Sequence, residues 1–297
     1  MLDLHHPARV FAEHLAERGL PLKRVLAFAG LSTITVVDTT ARADVPAEEA
    51  VAKGLCGYYH VIEHAPPEQR PGVYGYYWYK RYGPAQHEAW RTAFHLEHQV
   101  LSALCGQPGI AEVWTAELAE GIPHFLMRHY ARGSLAAHAG ALGWQVDAEL
   151  ALTAAADIAT GLEVLHGKGI VHRDLNAENV LRTDDGHFVL TDLGNARDVH
   201  APPCGPSSRP DEFHWPPEYA TGYDTADTRA DLYSLGVLIH QLTTGRMPRH
   251  LGRSCQASAA GRFPPGLLAV ADACLEPDPD NRPESAAEVL ACLAPHR

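Results

Sequence analysis

The chain has 297 residues, 46% of them hydrophobic and 20% charged, an ordinary soluble composition that argues against a mostly disordered chain. Its 24 basic and 36 acidic residues give a formal charge of −12, a poor basis for gripping a nucleic-acid backbone or an anionic membrane. The apolar runs are short: Val25 to Leu31 stops at Ser32, and nothing approaches the roughly 18 apolar residues that a spanning helix needs. The N-terminus, MLDLHHPARV, lacks the basic and apolar regions of a secretory signal. Six scattered cysteines form no C-x-x-C pair and read as reduced thiols, so the expected location is the cytoplasm.

In chain order, residues 1–50 read as an N-terminal extension. Pro7 to Arg18 has the pattern of a short helix, with Val10, Phe11 and Leu15 on one side and Gly19 as a stop. A β-rich stretch around Ile34, Val36 and Val37 follows, then a polar connector from Ala41 to Ala50. The extension is expected to cap the part that follows it, a docked partner being the alternative. Residues 51 to 82 read as strands, the last of them the aromatic stretch Val73 to Tyr82, with the proline-rich Glu63–Gly72 as a loop between. From Glu88 to Leu104 the period becomes helical. Ala151, Ala155, Ile158, Leu162 and Leu165 predict a helix with Asp147 as N-cap and Gly167 at its end. Leu232, Leu235, Ile239 and Leu242 predict another that ends at Gly245. Most of the polar chemistry lies between those two helices, from Gly169 to Ala230. A small β-rich part before a larger helical part predicts an α+β fold of two lobes with a cleft between them.

The most informative stretch is Ile170 to Leu181, IVHRDLNAENVL. Asp174 and Asn179 stand five apart in a polar loop. A carboxylate and an amide at that spacing can divide two jobs at one phosphate: one takes a hydroxyl proton, the other holds a hard cation through oxygen. Asp192 follows in TDLG. The intervening VLRTDDGHFVLT reads as a hairpin with its turn at Asp185-Gly186, which would return Asp192 to the side of Asn179.

These residues resemble the signature of the eukaryotic-type serine/threonine protein kinases, here of bacterial type. His172-Arg173-Asp174-Leu175 with Asn179 matches H-R-D-L-x-x-x-N, and Asp192-Leu193-Gly194 matches D-F-G with Leu for Phe. The resemblance covers about residues 51 to 293. It implies a bilobal fold, with an N-lobe over residues 51–126 containing one long helix, a hinge at 127–130 and a mainly helical C-lobe over 131–297. It also implies transfer of the ATP γ-phosphate to a protein hydroxyl, with Asp174 as base and Asn179 and Asp192 holding Mg²⁺.

Other roles come with it. Lys80, at the end of YGYYWYK, would touch the α- and β-phosphates and pair with Glu97, which the helical spacing places on an otherwise apolar stripe with Trp90, Ala93, Leu101 and Leu104. The phosphate-covering loop is weakest: in GLCGYYHV, Gly54 and Val61 fit the pattern, but Cys56 and Tyr59 stand where glycines belong. Met127 would lie behind the adenine, Arg128 and Tyr130 would offer backbone hydrogen bonds, and Leu181 would floor the pocket. Glu218 of Pro216-Pro217-Glu218 would pair with Arg282 of DPDNRP, and Asp231 would bind the catalytic-loop backbone. Arg173 points to a phosphate on the following segment, where Ser207 and Ser208 are the well-placed hydroxyls and Asp211 and Glu212 the alternative sources of charge. Asn176 stands where the family usually carries lysine, and the threonine-containing turn before Pro216 is missing. Two other readings stay open: a pseudokinase scaffold that binds nucleotide, which the glycine-poor loop and Asn176 suggest, and a small-molecule phosphotransferase of the antibiotic type, which shares the H-x-D-x-x-x-x-N core. The nineteen histidines show no ligand spacing and predict no metal site of their own.

Overall fold

The computed structural model describes residues 6–144, 146–203, 215–248 and 254–296. These divide into two compact units, one formed by the residues up to Cys105 with Glu112–His129, the other by Gly106–Ala111 with the residues from Tyr130 onward.

The N-terminal unit begins with α1 (Pro7–Ala16), entered through the imidazole of His6, which accepts the Ala8 N–H, and through Pro7 in the first turn. Phe11 and Leu15, one turn apart, are fully buried. Then come β1 (Leu22–Phe28), β2 (Thr33–Asp38), β3 (Glu49–Gly54), α2 (Tyr58–His64), the long α3 (Tyr76–Ala103), β4 (Val113–Glu117) and β5 (His124–Arg128). The strands form one antiparallel sheet in the order β1-β2-β3-β5-β4. Phe11 and Leu15 pack with Val37, Ala50, Ala52, Ile122 and Leu126 from this sheet.

This corrects the reading of residues 1–50 as an extension. They supply two of five strands, and the boundary expected at residue 50 falls inside β3. The aromatic stretch 73–82 is also corrected: from Tyr76 it is the first part of α3, with Tyr76 and Tyr79 set three apart against Val61, Ile62, Ala65 and Val73. Helical sense breaks at Gly83 (φ 75°, ψ 173°), where Pro84 lacks the N–H that a continuous helix needs. The second part of α3 runs over the 88–104 stretch whose helical period was legible.

In the C-terminal unit, α4 (Leu135–Ala141) is capped by Ser134, and α5 (Ala148–His166) by Asp147, whose Oδ1 accepts the Leu150 N–H at 2.7 Å. Short strands follow: β6 (Ile170–Val171), β7 (Val180–Arg182), β8 (Phe188–Leu190) and β9 (Arg197–Asp198), paired as β6-β9 and β7-β8. Gly106–Ala111 belongs with this unit because the Ala111 N–H reaches Leu190 O at 2.9 Å and the Leu190 N–H reaches Gly109 O at 2.8 Å. After α6 (Tyr219–Gly222), the almost wholly buried α7 (Arg229–Thr244) ends at Gly245, whose φ of 73° is the left-handed stop its residue type permits. α8 (Cys255–Ala259), α9 (Pro265–Cys274) and α10 (Ala286–Leu293) complete the unit. Among the described residues, no helix is long and apolar enough to cross a membrane.

Candidate active site

In the N-terminal unit the cation facing Glu97 is Lys53. Its Nζ lies 2.6 and 2.8 Å from the two carboxylate oxygens, with Lys53 7% and Glu97 2% exposed. A buried carboxylate needs such a partner, and β3 presents Lys53 where α3 presents Glu97. The expected Lys80–Glu97 pairing is therefore corrected. Lys80 sits in the first part of α3, exposed, with Nζ 5.9 Å from the Tyr76 ring centroid. The sequence held a signal for Lys53 in Ala50-Val51-Ala52-Lys53, close to the V-A-I-K pattern of the kinase lysine strand. It was obscured because α2 and the first part of α3 separate it from Glu97, which put Lys80 nearer in sequence.

The phosphate-loop expectation also moves. Gly54 closes β3 against the Phe11 ring, where a Cβ would come within 2.2 Å of Cζ, and Val61 is buried on α2. The hairpin preceding the lysine strand turns instead at Ala29–Ser32, with one glycine, Gly30. The Tyr58 N–H donates to Ala29 O at 3.1 Å and the Tyr59 N–H to Gly30 O at 2.9 Å. Gly57 is required there, since a Cβ would come within 2.3 Å of Gly30 O. The turn is thus clamped by the chain entering α2. On the far side of the sheet's central strand, Met127 is buried on β5, paired with Val51 and Val113. The Arg128 N–H donates to Glu112 O at 3.0 Å, so that amide is already engaged in the sheet.

In the C-terminal unit the loop around Asp174 is braced from below. Buried Asp231, in the first turn of α7, accepts the His172 N–H at 2.8 Å and the Arg173 N–H at 2.9 Å, and its Oδ2 lies 2.9 Å from His166 Nε2. Burial alone would push the Asp231 carboxyl up, but the His166 hydrogen bond and the charges of His166 and His172 outweigh it and hold the group below the usual carboxylate range. Those bonds hold Arg173 at φ 63°, a left-handed conformation unfavourable for a residue with a Cβ.

Three asparagine amides converge on Asp174. Asn179 Nδ2 donates to its backbone carbonyl at 2.9 Å and Asn176 Nδ2 to the same oxygen at 3.1 Å, while Asn195 Nδ2 donates to its carboxylate Oδ2 at 3.1 Å. Asn176, in the usual lysine place, also accepts the Glu178 N–H at 2.9 Å and so starts the short turn that carries Asn179. The β7–β8 hairpin forms with its turn at Asp185-Gly186. The Thr191 N–H reaches Asn179 O at 3.0 Å, which sets Asp192 one residue beyond a rung shared with Asn179. Asp192, at φ 59°, is a second left-handed residue with a side chain.

The structure pairs Glu218 with Arg282 through two hydrogen bonds of 2.6 and 2.8 Å; the Arg282 side chain is fully buried and lies 4.8 Å from the Tyr233 ring centroid. Arg173 is engaged by the protein itself: Nε donates to Asn195 O at 2.7 Å, Nη1 to Tyr223 O at 3.3 Å, and the guanidinium stacks 4.5 Å from the Tyr223 ring centroid. Ser207, Ser208, Asp211 and Glu212 lie outside the described residues. Leu181 sits on β7 opposite Val189 with a bridge to Ser134, and Tyr130 is buried at the start of its unit.

A profile of the protein kinase domain matches residues 80–292. The chain belongs to the protein kinase domain family. Relatives of this chain include a probable serine/threonine-protein kinase of Clostridium perfringens, 29% identical over 160 residues, covering 49% of this chain and 23% of the relative. The serine/threonine-protein kinase PkaA of Streptomyces coelicolor is 35% identical over 147 residues, covering 44% of this chain and 26% of the relative. Rat 3-phosphoinositide-dependent protein kinase 1 is 38% identical over 101 residues, covering 33% and 18%. The chain spans about a quarter or less of the length of these curated relatives. The matched segment starts after Lys53, so the first three strands and their lysine lie outside it and rest on the structure alone.

The donor chemistry fits a hard cation. Because Asn179 gives its NH₂ to the Asp174 carbonyl, the other fork of its amide is an oxygen, and Asp192 adds carboxylate oxygens from the neighbouring rung. Among the described residues, no group of three or more His, Cys, Asp or Glu is arranged to hold a metal ion.

Proposed function

We propose that the chain is an ATP-dependent protein kinase directed at serine or threonine hydroxyls. The observation that carries this is the Asp174 loop, held at the His172 and Arg173 amides by Asp231 and at the Asp174 carbonyl by Asn179. In the proposed reaction the acceptor hydroxyl oxygen bonds to the γ-phosphorus, the bond from that phosphorus to the β–γ bridging oxygen breaks, and ADP leaves with the electron pair. The hydroxyl proton passes to Asp174. Lys53, fixed by Glu97, would be the lysine that neutralises the α- and β-phosphates. Asn179 and Asp192 would hold Mg²⁺, which neutralises phosphate charge when bound.

Phosphoryl transfer asks for positioning and charge neutralisation more than for covalent chemistry, and rigidly held polar groups supply both. The reading of the acceptor as protein rests on the relatives, which are named protein kinases, and on the Glu218–Arg282 pair, which the antibiotic-type phosphotransferase reading does not call for. The test is phosphate incorporation from Mg-ATP into the chain and a generic acceptor protein, followed by mass spectrometry, for wild type, Asp174→Asn and Asp192→Ala. Phosphoserine or phosphothreonine in wild type alone supports the proposal. Equal incorporation in all three supports a non-catalytic scaffold, and incorporation only into aminoglycoside-like alcohols supports the small-molecule reading.

A further inference from the structure

Asn195 follows Asp192-Leu193-Gly194 and bonds at both of its ends to the catalytic loop. Its backbone carbonyl accepts the Arg173 Nε–H at 2.7 Å, and its side-chain Nδ2 donates to Asp174 Oδ2 at 3.1 Å. The residue is held for this by the turn around it: the Ala196 N–H returns to Leu193 O at 3.0 Å, and buried Arg197, two residues on, donates to Ala226 O at 3.0 Å. The other two amides on Asp174, from Asn176 and Asn179, reach only its backbone carbonyl. They fix where the residue's backbone sits. Of the three, the Asn195 contact is the one made to the carboxylate itself.

We infer that Asn195 is a positioning residue for the base: by donating to Oδ2 it sets the plane of the Asp174 carboxylate and ties that plane to the segment carrying Asp192. The inference rests on the kinase reading above and deepens it. A base must meet its proton within hydrogen-bond reach and in line, so a carboxylate turned out of that plane loses productive encounters without losing nucleotide binding. The arrangement also answers two departures in this chain. Asn176 brings no positive charge beside Asp174, and the threonine-containing turn before Pro216 is missing, so the amide after Asp192-Leu193-Gly194 supplies a donor at the base from a different place in the chain. It makes alignment of Asp174 conditional on the Asp192 turn being in place.

Side-chain substitutions isolate this role, because the bond from Arg173 is to the Asn195 backbone and survives them. The experiment measures kcat and the KM for ATP on a generic acceptor protein, with melting temperatures, for wild type, Asp174→Asn, Asn195→Ala, Asn195→Asp and Asn195→Ser. Loss of a single aligned donor at the reacting group predicts a fall in kcat of ~10- to 100-fold for Asn195→Ala, with the KM for ATP within about twofold of wild type. Asn195→Asp, nearly isosteric but a like charge facing Asp174, is expected below Asn195→Ala. Asn195→Ser, which keeps a short donor, is expected to recover part of the loss. A role confined to packing gives the reverse order, with the isosteric Asp nearest wild type. If wild type exceeds Asp174→Asn while Asn195→Ala keeps kcat within about twofold, or Asn195→Asp matches or exceeds Asn195→Ala, the inference is overturned and the kinase reading stands. If wild type does not exceed Asp174→Asn, the kinase reading falls and the inference with it. Should Asn195→Ala fail to fold, the order of the Asp and Ser variants decides.

Discussion

Lys53 on β3 and Glu97 on α3 are 44 residues apart in sequence and joined by two hydrogen bonds of 2.6 and 2.8 Å within a nearly dry environment. Removing one member of such a pair leaves the other a poorly compensated buried charge. Glu97→Ala is expected to destabilise the chain by about 3 kcal/mol in denaturant titration and to shrink the rise in melting temperature that Mg-ATP produces. A loss below about 1 kcal/mol, a size typical of exposed ion pairs, would count against a buried pair.

The Glu218–Arg282 pair makes a second stability prediction. Arg282 also donates to the carbonyls of Glu276, Pro277 and Arg229, so its guanidinium ties α7 to the chain before α10. Arg282→Ala is expected to cost about 3–5 kcal/mol, and Arg282→Lys to recover little, because an ammonium cannot reproduce the planar fork. Recovery to near wild type by lysine in thermal melts would show that charge alone matters.

Phe11 lies over Gly54 with no room for a Cβ, and α1 closes the core against β2, β3 and β5. Gly54→Ala and Phe11→Ala are each expected to lower stability, the latter by about 3–5 kcal/mol from the lost burial. Deletion of residues 1–45 removes α1, β1 and β2 and is expected to yield an aggregated or unfolded N-terminal unit. A deletion variant with an unchanged melting temperature would return these residues to the status of an extension.

Two histidines of this unit set an acid response. Burial, aided by the charge of Arg18, lowers His14 to about 4, and burial, aided by His64, lowers His60 to about 4. Both are neutral in the fold and protonate near 6.5 when unfolded, so the unfolded chain binds more protons between these values. Their contribution is whole above pH 6.5 and is lost as pH falls toward 4. Denaturant titrations from pH 7 to 4.5 are expected to show falling stability, with a shallower slope for His14→Gln and for His60→Gln. Unchanged slopes in both variants would contradict the assignment.

Much of the C-terminal unit was legible because its signals are local. Asp147, Gly167 and Gly245 mark helix ends by cap chemistry, and Asp174 and Asn179 precede, and Asp192 follows, one hairpin whose turn residues are plain. The N-terminal unit was less so because its pairings are long-range. Tyr76 to Tyr82 carries β-favouring aromatics, yet it is helical because Tyr76 and Tyr79 share a face against Val61 and Val73. Lys53 reads as a single charge near the end of a short apolar strand, and its packing against α3, far on in sequence, is what brings it to Glu97. Asn195 carried no motif, and its contact to Asp174 arises from the turn after Asp192, which no periodicity reports.

The most direct test compares transfer of labelled γ-phosphate from ATP by wild type, Lys53→Met and Lys80→Met at saturating acceptor. The account predicts transfer within about twofold of wild type for Lys80→Met and a fall of ~100-fold or more for Lys53→Met. Transfer retained by Lys53→Met and lost by Lys80→Met would contradict it.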